Sequence, residues 1–141
     1  MSTVFVNRCK KQRPPTKFIN DWLKRLAKHP ALKKALKKEL VIVFVEPAEM
    51  KKINRKFRKQ NYATDILSFD PMDDEFLGEL VLCPAVLKEQ CKRTGLTYNQ
   101  ELGYMLIHGC LHLLGYDHET DQEQARVMFE LQDKIFANCL R

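Results

Sequence analysis

The chain has 141 residues, 45% apolar and 30% charged, a length that fits one domain of roughly 100–200 residues and allows a core without disulfide staples. That composition excludes collagen, a disordered chain and a disulfide miniprotein, and no window approaches the roughly 18 uninterrupted apolar residues of a membrane span. The net charge of +6 conceals an asymmetry, since residues 1–70 carry 18 Lys+Arg against 6 Asp+Glu and residues 71–141 carry 6 against 12; the basic half has the footprint of a polyanion partner, although a solvated lysine surface would give the same imbalance.

Val4-Phe5-Val6 predicts a first strand, and Pro14-Pro15 forbids continuation of any regular element. From Thr16 the apolar residues Phe18, Ile19, Trp22, Leu23, Leu26 and Ala27 recur at helical spacing until Pro30. The segment Ala31 to Lys38 (ALKKALKK) predicts a second, basic helical piece. It leads into Leu40 to Val45, a β-branched run too uniformly apolar for a surface strand and expected to be buried on both faces. Pro47 permits a helix whose Met50, Ile53, Asn54 and Phe57 share one face, with Lys51, Lys52, Arg55 and Lys56 on the other. Asp65 to Phe69 and Leu77 to Leu82 predict two further strands around the polar loop Asp70 to Glu75. Helices are predicted over Pro84 to about Thr94, Tyr98 to Leu114 and about Asp121 to Leu140, with Gly95 and Gly115 as stop signals. The expected fold is α+β, layered as in α/β proteins: a mixed sheet of about four strands covered by about five to six helices, with residues 1–141 a single domain.

The five cysteines (Cys9, Cys83, Cys91, Cys110 and Cys139) are odd in number and include no CxxC pair, so they read as reduced core thiols. MSTVFVNRCKK has no apolar signal core ahead of its first basic cluster, and a cytoplasmic protein is expected.

Three of the four histidines fall in His108-Gly109-Cys110-Leu111-His112-Leu113-Leu114-Gly115-Tyr116-Asp117-His118. Four residues of helix turn by about 400°, which puts His108 and His112 on one face one turn apart. Gly115 can adopt the left-handed conformation that ends the helix, letting the chain bring His118 back to the same point. A site of three neutral nitrogens suits zinc or a similar divalent metal and leaves a coordination position open. Zinc lowers the pKa of bound water to roughly 7 and stabilises the anionic transition state of a hydrolysis. Asp117, Glu119, Asp121 or a backbone carbonyl are candidates to fix the ring tautomers. Cys110 points away from this face, and His29, beside Pro30, reads as a helix-terminus residue.

The spacing HxxxHxxGxxH also matches the zinc helix of metzincin proteases. Those enzymes need Glu directly after the first histidine as general base, and this chain has Gly109 there. Arg58, at the end of the basic helix, carries a guanidinium fork able to clamp a phosphate. Arg8, Arg13, Lys51, Lys52, Lys56 and Lys59 are suited to long-range attraction. Tyr62 and Phe69 can stack unpaired bases, although a strand phenylalanine is more often core.

From about Val41 to Met128 the chain resembles the YbeY family, bacterial single-strand-specific metal-dependent endoribonucleases also called rRNA maturation factors. The resemblance is carried by Asn54 to Arg58 (NRKFR), Thr64 to Phe69 (TDILSF), Leu77-Gly78 at the start of a strand, and HGCLHLLGYDH, in the family's order. It implies a zinc-dependent nuclease, one ion per chain, that trims the 3′ end of small-subunit ribosomal RNA and takes part in ribosome quality control. The implied partners are single-stranded RNA, ribosomal RNA and the ribosome or its small subunit, with no membrane. His108, His112 and His118 match the family's metal ligands, and Arg58 matches its essential arginine beside the metal. The chain departs from the family at Glu79-Leu80, where Asp-Ile is usual, and at Gln132, where glutamate is common. Two alternatives stand beside this reading: a metzincin-like metallopeptidase, and a non-catalytic ribosome assembly factor with a structural metal.

Overall fold

The computed structural model describes residues 3–140. Four strands, β1 (Thr3–Asn7), β2 (Glu39–Phe44), β3 (Ile66–Phe69) and β4 (Phe76–Leu82), form one sheet in the order β1-β2-β4-β3. Six helices accompany them: α1 (Thr16–Leu26), α2 (Pro30–Lys33), α3 (Pro47–Arg58), α4 (Pro84–Thr94), α5 (Tyr98–Leu113) and α6 (Gln122–Cys139). Strand β2 is parallel to both β1 and β4, whereas β3 returns antiparallel to β4, with Leu67 opposite Val81. This is the mixed four-stranded α+β architecture expected from the sequence.

The uniform apolarity of β2 and β4 follows from their central positions, because alternate residues of each strand feed different layers. Leu40, Ile42, Phe44, Leu80 and Leu82 join the main core with residues of α1, α5 and α6. Val43, Val45, Val81 and Cys83 join a smaller cluster with Leu67 and with Met50 of α3. The sheet is thus sandwiched, with α3 on one side and the α1, α5, α6 layer on the other. Trp22 of α1 locks that layer, its indole N–H donating to the Gly103 carbonyl of α5 at 2.9 Å.

Between Ala31 and Lys38 the structure departs from the expected single helical piece: α2 stops at Lys33 and a 3-10 turn spans Ala35–Lys37. Eight residues are too few for a helix stable by propensity alone. Tertiary burial of Leu32, Ala35 and Leu36 decides the backbone path instead. His29 caps α2, its Nδ1 accepting from the Ala31 amide at 3.1 Å, as its place beside Pro30 suggests. All five cysteines are free; Cys83, Cys110 and Cys139 are buried and Cys9 and Cys91 half-buried. Among the described residues no helix is long and apolar enough to cross a membrane.

Candidate metal centre and nucleic-acid groove

Helix α5 is set by a capping box at its start, where the Thr97 hydroxyl accepts from the Gln100 amide and the Gln100 side chain accepts from the Thr97 amide. It lies against the sheet through Gly109. A Cβ at that position would sit 2.7 Å from Leu80 Cδ2 and 2.8 Å from Ile66 Cδ1. The residue after the first histidine therefore faces packed hydrocarbon, and no general base can stand where a metzincin carries its glutamate.

The helix ends as Gly115 predicts. Gly115 has φ +101; its amide donates to the His112 carbonyl and the Tyr116 amide to the Leu111 carbonyl, both at 3.0 Å, the pairing of a Schellman stop. The chain then turns and returns His118 to the helix face that carries His108 and His112. The three ring centroids lie 5.0 to 5.1 Å apart, and one donor nitrogen from each ring lies within 4.8 Å of the others. His112 Nε2 and His118 Nδ1 are 3.1 Å apart, near the spacing of about 3.3 Å that two nitrogens take on one tetrahedral zinc-sized ion.

His108 is the deepest of the three, 8% exposed. Its Nδ1 lies 3.0 Å from Oε1 of the fully buried Gln132 on α6, whose amide nitrogen donates to the Tyr104 carbonyl at 3.2 Å. Since that nitrogen is committed to Tyr104, Oε1 must accept, and His108 must carry its proton on Nδ1. Nε2 is left with a free lone pair. Burial pushes the His108 pKa below the usual histidine range, with the neighbouring His112 and His118 adding to the effect against the Gln132 hydrogen bond. Burial and His118 likewise lower His112. Neutral imidazoles with a directed lone pair are the form in which histidine binds a metal, so the donor set fits one divalent cation.

The tautomer partner of His108 is not among the acidic residues suggested by the sequence; of these, Glu119 stands nearest the cluster, 3.9 Å from His118 Nε2. Asp117 accepts from the Glu119 amide at 2.8 Å, which holds its carboxyl below the usual carboxylate range, and Asp121 caps α6 through the Gln124 amide at 2.7 Å. Both are occupied with the backbone. Phe129 was also not legible beforehand: it stacks on His108 at 5.9 Å and meets His118 edge-on at 5.5 Å, walling the cluster. The signal for both residues lies in α6, where Phe129 and Gln132 are three apart and so share a face.

The cluster lies in a groove of about 1020 Å³ that is also lined by Phe57, Arg58, Tyr62, Phe69, Gln90 and Arg93. Of the cations singled out in the sequence, Arg58 alone lines it; Arg8 is paired with Glu49 at 2.5 Å and the lysines lie outside. Arg58 ends α3, where Lys59 takes a left-handed turn at φ +57. Its guanidinium is paired with the Glu119 carboxylate, whose same oxygen stands 3.9 Å from His118 Nε2. Phe69 faces the groove, packed edge-on against Phe57 at 5.1 Å. Arg93, in the last turn of α4, was not singled out in the sequence because nothing in the chain order places it near the histidines.

Comparison with known proteins agrees with this geometry. The family described as Endoribonuclease YbeY matches residues 5–139. A relative of that name from Bdellovibrio bacteriovorus is 52% identical over 146 residues, spanning 100% of this chain and 97% of its own. One from Persephonella marina is 36% identical over 146 residues, spanning 98% and 93%. The solution structure of a Thermotoga maritima protein superposes with a TM-score of 0.68 at 29% identity, covering 99% of this chain and 89% of its own. These matches run through the helix bearing the histidine pair and through the turn that returns the third, and on that footing the chain belongs to the endoribonuclease YbeY family.

Proposed function

We propose that this chain is a single-strand-specific, metal-dependent endoribonuclease that matures ribosomal RNA at the 3′ end of the small-subunit RNA and serves ribosome quality control. It acts as one domain of residues 1–141 in the cytoplasm, with the ribosome or its small subunit as partner. The observation that carries this reading is the convergence of three histidine nitrogens in the same groove as a guanidinium, in a chain of the endoribonuclease YbeY family.

His108, His112 and His118 hold the ion, and three neutral imidazoles favour zinc. When bound, such an ion supplies Lewis acidity at the phosphoryl group and lowers the pKa of water in the site. Gln132 keeps His108 Nε2 turned to the ion. Arg58 orients the scissile phosphate and opposes the charge that builds on it in the transition state; an incoming phosphate takes the place of the Glu119 carboxylate on the guanidinium. A structural-metal reading is less well supported, because structural zinc usually closes its shell with four protein ligands and the cluster numbers three side chains among the described residues.

The test is metal content measured alongside cleavage of single-stranded RNA. His112→Ala loses both. Arg58→Ala keeps the metal and loses cleavage. Full nuclease activity from a verified metal-free preparation would overturn the reading.

A further inference from the structure

Phe57 is 59% exposed and Tyr62 is 55% exposed, although both line the groove that holds the histidines. Large apolar surface left in water beside a site marks a contact made with something else. The Phe57 ring and the Tyr62 backbone are both anchored. Asn54 of α3 is fully buried and its side-chain amide donates to the Tyr62 carbonyl at 2.9 Å, while the left-handed turn at Lys59 folds the chain back from α3. Phe57 is braced by Phe69 at 5.1 Å. The Lys56 ammonium lies 5.3 Å from the Phe57 ring centroid, and Arg58 follows next in the chain. Farther along the same groove stands Arg93, with no ion pair among the described residues.

We infer that Phe57, braced from behind by Phe69, is a shelf on which one unpaired base of the substrate stacks, beside the phosphate that Arg58 holds, with Tyr62 exposed in the same groove. The inference rests on the ribonuclease reading above and deepens it by locating where the substrate's single-stranded character is read. Planar aromatic surface interleaved with cations matches a ligand of alternating planar bases and anionic phosphates, and stacking tolerates any base because every base presents a π face. In a duplex those faces are already stacked on their neighbours, so a paired nucleotide gains nothing from the shelf.

Steady-state cleavage of a single-stranded RNA, of the same RNA annealed to its complement, and of single strands with one abasic nucleotide placed in turn on each side of the cleaved bond tests this. Phe57→Ala raises KM on the intact single strand about tenfold, with kcat changed much less, and the preference for single strand over duplex narrows correspondingly. Phe57→Leu, which keeps apolar bulk against Phe69 but has no π face, shows the same rise; Phe57→Trp does not. On the strand lacking the stacked base, wild type already has the high KM and Phe57→Ala adds nothing. Active variants with unchanged KM, a Leu variant equal to wild type, or an equal loss on every abasic strand would each overturn the shelf while leaving the nuclease standing. A wild-type protein that cleaves no RNA would overturn both.

Discussion

Gln132 decides which nitrogen of His108 faces the groove, and it does so from a helix that supplies none of the three imidazoles. Partners of this kind typically change metal affinity 10- to 100-fold when removed. Gln132→Ala is therefore expected to weaken metal binding by about that factor in a competition titration with a chromophoric chelator, whereas Gln132→Glu, whose carboxylate still accepts from Nδ1–H, retains it. Little of this was legible in the sequence. The spacing of His108 and His112 and the glycine stop at Gly115 were enough to expect the convergence with His118, because both depend on local helix geometry. A buried glutamine twenty-four residues beyond His108 stood out in the sequence only as a departure from the family's usual glutamate, and of the nearer acidic residues Asp117 and Asp121 are engaged with turn and cap amides while Glu119 pairs with Arg58.

At the scale of elements, two glycines set how closely α5 approaches the sheet and how β4 begins. Gly78 has φ +149, and a Cβ there would lie 2.7 Å from the Phe69 carbonyl oxygen of the paired strand. Backbone cannot retreat as a side-chain end can. Gly78→Ala is expected to cost about 1–3 kcal/mol from the strained conformation alone, and more with the clash. Gly109→Ala meets only side-chain ends of Leu80 and Ile66 and is expected to cost about 1–3 kcal/mol by overpacking. Urea titrations of the two variants against wild type check both values and place Gly78→Ala as the less stable. Most elements could be read from the chain because apolar period and stop signals agreed, as in α4, α5 and α6. The basic segment after Pro30 could not, since its lysines gave helical spacing while three buried residues dictated the path.

For the whole molecule, the charge split of the sequence resolves into geography. Lys51, Lys52, Arg55 and Lys56 are exposed along α3, the helix whose end delivers Arg58 to the groove. These exposed cations thus flank the guanidinium proposed to hold the scissile phosphate. Because each neutralised phosphate releases condensed counterions, RNA affinity should fall linearly on a log–log plot against salt, with a slope near 0.9 or 0.7 per contact for double or single strands. Replacing Lys51 and Lys52 together by Gln is expected to flatten that slope by about one to two, measured by fluorescence anisotropy, without altering metal content. A slope unchanged by the double substitution would mean that those lysines serve solubility alone.

The three imidazoles come from eleven consecutive residues, yet the group that orients the deepest of them belongs to the final helix. A chain clipped before Gln132 would keep all three rings and lose the acceptor that fixes the proton of one of them, so it is expected to hold its cation poorly.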